Sequence, residues 1–301
     1  MIFISWSFGE YKIVKLCRNG RKIYSFRDKN ICLWGVDNGK LVKTFKGHTS
    51  RIWDLNSNKN GSFIVSASSD RTIKLWSVFS EKEESIATLS GHVGDVYTCF
   101  VHSAQSHIIS GGYDKKVCIF DIEREELLQT FVGHELSVSS CTCNRYGNII
   151  ITGSKDTTVK FWDVSSGVCV KSLTTHFGEV TSVEASEQGD KLLVASKDNS
   201  NRLWDLRMLR PTQKFRGHYN TSKNFVKANF GPSNKIVMGG SEDGNIFLWD
   251  IDTGKIVQRL RGHNGTAYRA CWNNSQSLMA SCGDDGLVKV WWYDAQERGH
   301  E

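Results

Sequence analysis

The stretch Gly153-Ser154-Lys155-Asp156-Thr157-Thr158-Val159-Lys160-Phe161-Trp162-Asp163-Val164 decides the fold. A run rich in β-branched residues ends on an aromatic, Trp162, and six residues before it stands Asp156. The same pair returns as Asp28 and Trp34, Asp70 and Trp76, Asp114 and Phe120, Asp198 and Trp204, Asp243 and Trp249, and Asp285 and Trp291. The aromatics are separated by 42, 44, 42, 42, 45 and 42 residues, and an exact six-residue offset kept seven times marks an internal repeat.

Upstream of six of those aspartates lies a histidine: His48, His92, His134, His176, His218 and His263. Each follows a glycine except in Thr175-His176. The spacing from histidine to aspartate is 22 residues, and 25 in the sixth unit. With Phe161-Trp162-Asp163-Val164 and Leu248-Trp249-Asp250-Ile251, these residues resemble the WD40 repeat family over essentially the whole chain. Each unit reads as four short strands with turns such as Asn60-Gly61 and Asp252-Thr253-Gly254 between them. The expectation is an all-β, seven-bladed β-propeller of four-stranded antiparallel blades, forming one domain over residues 1–301. After Trp291 the chain holds too few residues for a fourth strand, and the apolar Ile2-Phe3-Ile4 precedes the first unit. That N-terminal strand should complete the last blade and close the ring.

The resemblance implies a tetrad inside each blade: histidine, a Ser or Thr, the turn aspartate and tryptophan. The complete sets are His48, Ser66, Asp70, Trp76; His134, Thr152, Asp156, Trp162; and His263, Ser281, Asp285, Trp291. A buried carboxylate needs donors, and imidazole, hydroxyl and indole supply them. Histidines and aspartates spread at blade spacing therefore read as structural, not as a catalytic or metal centre. Four units depart from the set. Tyr24 stands at the hydroxyl position of the first, whose Gly-His is replaced by Ser5-Trp6; Phe120 replaces tryptophan in the third; Val194 and Gly239 replace the hydroxyl in the fifth and sixth. Blades three, five and six should be less tied by hydrogen bonds.

In the resembling family, partners gather around the channel mouth on the face formed by the loops that carry the histidine and the turn aspartate. Two positions per repeat reach that face. The first carries Tyr11, Trp53, Tyr97, Ser139, Thr181, a residue near Phe225, and Tyr268; the second carries Arg27, Ser69, Tyr113, Lys155, Lys197, Glu242 and Asp284. The face then has an aromatic arc through Tyr268, Tyr11, Trp53, Tyr97 and Tyr113, a basic sector at Lys155 and Lys197, and an acidic sector at Glu242 and Asp284. Rigid rings beside segregated charge suit peptide recognition, and the acidic sector suits a cation held against a ring; the rings would alternatively plug the channel. The insertion around Gly217-His218-Tyr219 is similar to that of the WD40 subunit of histone H3 lysine-4 methyltransferase complexes, which implies an arginine-peptide reader. Trp204-Asp205-Leu206-Arg207 resembles the W-D-x-R box of substrate receptors of cullin-RING ubiquitin ligases, which implies an adaptor contact at Arg207.

The bulk numbers agree with an interaction protein. The 301 residues are 39% hydrophobic and 23% charged, and the net charge of +6 is interspersed, which does not point to nucleic acid. Nine cysteines, an odd number without metal-ligand spacing, read as reduced core thiols of a cytoplasmic or nuclear protein, so the sequons at Asn220 and Asn264 carry no sugar. The N-terminal apolar run is interrupted by Glu10 and Lys12 and does not read as a signal peptide, and no run approaches membrane-spanning length. Nucleophile elbows, phosphate-cradling loops and H-E-x-x-H are missing. The expectation is a non-enzymatic scaffold without cofactor or metal, whose partners are other proteins or peptides within a larger complex.

Overall fold

A computed structural model describes residues 3–4, 14–16, 22–27, 29–174, 177–221, 225–273 and 278–292. They form seven four-stranded antiparallel sheets. In blade four the strands are Val138–Cys143, Ile149–Ser154, Val159–Asp163 and Cys169–Leu173, hydrogen-bonded in that order. The first strands of the seven blades touch one another in succession and return to the start, so they line a central channel.

Each blade buries both faces. One apolar cluster lies between each neighbouring pair: Ile151, Val159 and Phe161 of blade four pack on Val183, Leu192 and Trp204 of blade five. The cluster holding Trp34 and Ile23 of blade one against Cys271, Leu278 and Val290 of blade seven completes the circle. Runs such as Ile149-Ile150-Ile151 fill both interfaces at once, which is why they are continuous rather than alternating.

The ring closes as the sequence predicts. Phe3–Ile4 pairs antiparallel with Val288–Trp292, setting Phe3 opposite Trp291 and Ile4 opposite Val290. Blade seven thus takes its fourth strand from the other end of the chain.

The first strand of five blades carries a one-residue irregularity at the same place. Ile52 pairs with Ser68 and Asp54 with Ala67, leaving Trp53 as the extra residue; Tyr97, Ser139, Thr181 and Tyr268 are the extra residues of blades three, four, five and seven. A bulge bends its strand and re-aims one side chain. In these five blades the fold therefore turns one residue out of the ladder near the channel mouth.

A candidate binding face at the channel mouth

The blade-internal hydrogen bonds fix the loops that form this face. In blade two the Trp76 indole donates to Ser66 Oγ at 2.8 Å, Ser66 lies 2.6 Å from His48 Nε2, and His48 Nδ1 lies 2.6 Å from Asp70. One proton arrangement satisfies all four groups: Nδ1–H donates to the carboxylate and Nε2 accepts from the serine hydroxyl. Blade four repeats it through Trp162, Thr152, His134 and Asp156, and blade seven through Trp291, Ser281, His263 and Asp285. Burial by itself raises the Asp70 carboxyl; the bonds from His48, Thr72 and the Thr49 amide outweigh it and hold the group well below the usual carboxylate range. Asp156 is held down in the same way by His134 and Thr158.

The departures resolve differently from one another. In blade one the hydroxyl partner is Ser25, not Tyr24: the Trp34 indole donates to Ser25 Oγ at 2.8 Å. The hairpin between Lys22–Arg27 and Asn30–Gly35 pairs Arg27 with Asn30, so its turn is one residue tighter and the register moves the hydroxyl closer to Trp34. Blade three loses only the indole, since His92 still joins Asp114 and Ser110. In blade five Arg202 reaches Asp198 at 2.8 Å, and His176 lies outside the described residues. In blade six a Cβ at Gly239 would meet the Trp249 ring at 2.9 Å; that indole donates instead to Arg216 O, and His218 is buried with neither ring nitrogen bonded to a described residue.

On this scaffold the bulged residues of blades two and three meet Phe225 from the segment before Ala228–Phe230. Trp53 and Tyr97 stand edge to face with centroids 5.2 Å apart, Trp53 and Phe225 are 6.3 Å apart, and Tyr97 and Phe225 are 5.9 Å apart. All three are half-buried. The Lys155 ammonium lies 5.7 Å from the Tyr97 ring and 5.5 Å from Phe225, Lys197 lies 5.7 Å from Phe225, and the Arg51 guanidinium stacks 4.3 Å over Trp53. Lys197 is paired with Glu179 at 2.6 Å; Lys155 makes no ion pair among the described residues. Just inside the mouth, Lys227 and Asp54 form a buried ion pair.

The other candidate positions lie around this centre. Ser139 and Thr181 are buried and donate to the backbone carbonyls of Gly153 and Val226, tying blades four and five inward. Tyr268 donates its hydroxyl to Asp284, and burial followed by that carboxylate raises the phenol above its usual range. Tyr113 is 65% exposed, and Glu242 accepts from the Thr221 amide and hydroxyl. Tyr11 lies outside the described residues, as do Asp28 and the insertion residues 222–224. Arg207 is exposed on the opposite end, where its turn is fastened by the Leu206 amide to Asp190 O. At that end the channel widens into a cavity of about 540 Å³ whose lining includes Asn56, His102, Arg145, Glu184, Phe230 and Trp272.

Positions missed in the sequence reading immediately follow the repeat histidines. The amides of Thr49, Val93, Glu135 and Asn264 donate to the turn aspartate of their own blades, at 3.0 to 3.1 Å, as does Phe177 at 3.4 Å. With the amide fastened inward, the position stays at the surface: Val93 and Phe177 are exposed, as is Tyr219, whose amide donates to Ser241 Oγ, and Leu136 is exposed one residue further on in blade four. Aligning the repeat one residue beyond the histidine would have found Val93, Phe177 and Tyr219, and two residues beyond it Leu136.

Comparison with known proteins follows the same repeat. The family model "WD domain, G-beta repeat" matches residues 39–77, 83–121, 125–163, 167–205, 209–250 and 254–291. Each match begins before or within the outer strand of one blade and ends at the third strand of the next, the same stagger that lets the N-terminal strand close the ring. Pre-mRNA-processing factor 19 of Oryza sativa is 31% identical over 96 residues, 32% of this chain and 18% of that protein. A serine-threonine kinase receptor-associated protein of Dictyostelium discoideum is 33% identical over 87 residues, 29% of each. Eukaryotic translation initiation factor 3 subunit I of Aspergillus niger is 35% identical over 66 residues, 22% of this chain and 20% of that protein. The chain thus spans less than a third of the length of each of these relatives.

Proposed function

The chain belongs to the WD domain, G-beta repeat family, and from that premise we propose that it is a non-catalytic scaffold that holds protein segments on the face around Trp53, Tyr97 and Phe225, inside a larger assembly. The observation that carries the reading is the half-buried ring cluster ringed by Arg51, Lys155 and Lys197. Rings locked by one another and by cation contacts offer contact area with little ordering cost, which is what an interface anchor needs. The names of the relatives fit such a role, since a processing factor, a receptor-associated protein and an initiation-factor subunit are each named as parts of larger systems. The slot between Tyr97 and Phe225 already holds the chain's own Lys155. That favours a partner that does not bring a cation to the same place, over an arginine-peptide reader.

The test is affinity purification with quantitative mass spectrometry from cells expressing wild type, Trp53→Ala/Tyr97→Ala, or Arg145→Glu at the opposite end. Partners should be lost with the aromatic variant and kept with Arg145→Glu. A partner set indifferent to the aromatic variant, in protein that melts like wild type, refutes the assignment of this face.

A further inference from the structure

Resting on that reading of the face, we infer the chemistry of the segment it takes: an extended acidic peptide that also carries apolar side chains, laid across blades three to six. Two independent observations define the surface. The first is the exposed apolar set on consecutive blades of one face: Val93 and Tyr113 on blade three, Leu136 on blade four, Phe177 on blade five and Tyr219 on blade six. Phe177 is 92% exposed. Single exposed apolar residues are ordinary, but a run of them confined to one face of four neighbouring blades marks an interaction surface. The repeat itself shows the bias, because the position after the histidine is Val93, Phe177 and Tyr219 in blades three, five and six but Thr49 and Asn264 in blades two and seven, while blade four has Glu135 there and sets the apolar Leu136 one residue further on. Among the described blades, only this sector fills that position with apolar groups, in three of its four blades.

The second observation is charge. Between the apolar set and the channel, the turns of blades four and five carry Lys155 and Lys197. Carboxylates of the sector are already engaged: Asp114 by His92, Asp156 by His134, Asp198 by Arg202, Glu179 by Lys197 and Glu242 by Thr221. Glu135 is the exposed carboxylate of blade four. Lys155, without an ion pair among the described residues and seated against two rings, keeps its charge available at the mouth. An incoming carboxylate there gains Lys155 and, in exchange with Glu179, Lys197; an incoming lysine or arginine meets like charge in a partly desolvated place. The aliphatic members, Val93 and Leu136, favour peptide over single-stranded nucleic acid, whose bases need stacking partners.

The experiment measures fluorescence anisotropy with three labelled extended peptides and one RNA: alternating glutamate with leucine or phenylalanine, the same with lysine for glutamate, the same with serine for the apolar residues, and oligouridylate. Only the acidic apolar peptide should bind well. Its affinity should fall at least tenfold in Lys155→Glu/Lys197→Glu, and similarly in Val93→Ser/Phe177→Ser, with added salt weakening it as well. All substituted side chains reach the surface, and thermal unfolding checks that the variants fold. Equal or better binding of the basic peptide, binding of oligouridylate alone, no binding of the acidic apolar peptide, or indifference to the charge reversal overturns the inference. A basic peptide that binds and is lost with Val93→Ser/Phe177→Ser leaves the docking face standing and removes its acidic preference. Cellular partners indifferent to both the Trp53/Tyr97 and the Val93/Phe177 variants remove the face itself.

Discussion

The Lys227 ammonium lies 2.9 Å from the Asp54 carboxylate, joining blades two and six across the channel, with 8% and 7% of the two side chains exposed. Thr98 donates its hydroxyl to the second Asp54 oxygen at 3.0 Å, and Arg269 stands 3.9 Å from the first. The carboxylate is the hub, so its loss leaves two cations without their counter-charge. Asp54→Asn should cost about 3–5 kcal/mol, as breaking a buried pair from one side does. Lys227→Met should cost less, because Arg269 and Thr98 still face Asp54. Denaturant unfolding of both variants checks the order; a larger loss for Lys227→Met would show that the network is not built around Asp54.

The tetrads predict a contrast between equivalent aspartates. Asp156 accepts from His134, the Glu135 amide, and both the amide and hydroxyl of Thr158. In Asp156→Asn an amide NH₂ faces those donors, and stability should fall by about 1–3 kcal/mol while peptide binding at the mouth is retained. Asp243 of blade six bonds locally to Ser241 and Asn245 and is exposed. Asp243→Asn should therefore shift the melting temperature by far less. Equal shifts for the two would remove the structural role assigned to the tetrad.

How much of this the sequence could carry depends on the kind of constraint. The Asp156-to-Trp162 offset is rigid, because it spans one hairpin that every blade needs, and its repetition fixes blade number, strand order and closure. Tyr24 and Ser25 mark where the counting fails: one residue fewer in a turn shifts the register, and only the pairing of Arg27 with Asn30 reveals it. The bulge residues Trp53 and Tyr97 were legible as a position, but their meeting with Phe225 was not. That contact crosses the ring from blade six and depends on an insertion with no counterpart in the other repeats. Lys155 was read as part of a basic sector; its seat against Tyr97 and Phe225 follows from the same non-local contact.

Closure by Phe3–Ile4 predicts the effect of removing it. Without that strand, Val288–Trp292 presents an unpaired outer edge on blade seven. Deleting residues 1–6 should lower the unfolding midpoint and cause concentration-dependent self-association, because an open edge templates pairing with another chain. Differential scanning fluorimetry and light scattering read both effects, and a truncated protein that melts like wild type and stays unassociated would refute the contribution of the strand.

His218 predicts an acid-sensitive range above that of the tetrad aspartates. Burial pushes its imidazole down to about 4, against weak opposing pulls from Asp198, Asp243 and Glu242, and its ring packs on Trp249 with centroids 5.3 Å apart. In the unfolded chain the group titrates near ~6.5, so between that value and about 4 the unfolded state binds the extra proton. Stability from His218 is therefore full above the unfolded value and is lost as pH falls toward the folded one, by about 3 kcal/mol at most. Asp70 and Asp156 act lower: their depressed carboxyls stabilise the fold above the ordinary carboxylate range and release that stability only as pH falls through their own values. Stability measured by denaturant unfolding from neutral pH downward should thus decline first through His218 and then through the tetrads. His218→Phe, which keeps an aromatic ring against Trp249, should make the first decline shallower, leaving the share of His102 and His263, whose imidazoles burial also pushes down, and should leave the second, whereas Asp156→Asn should blunt the second alone. A His218→Phe protein that follows the wild-type slope through the first range would show that this histidine is not the group that titrates there.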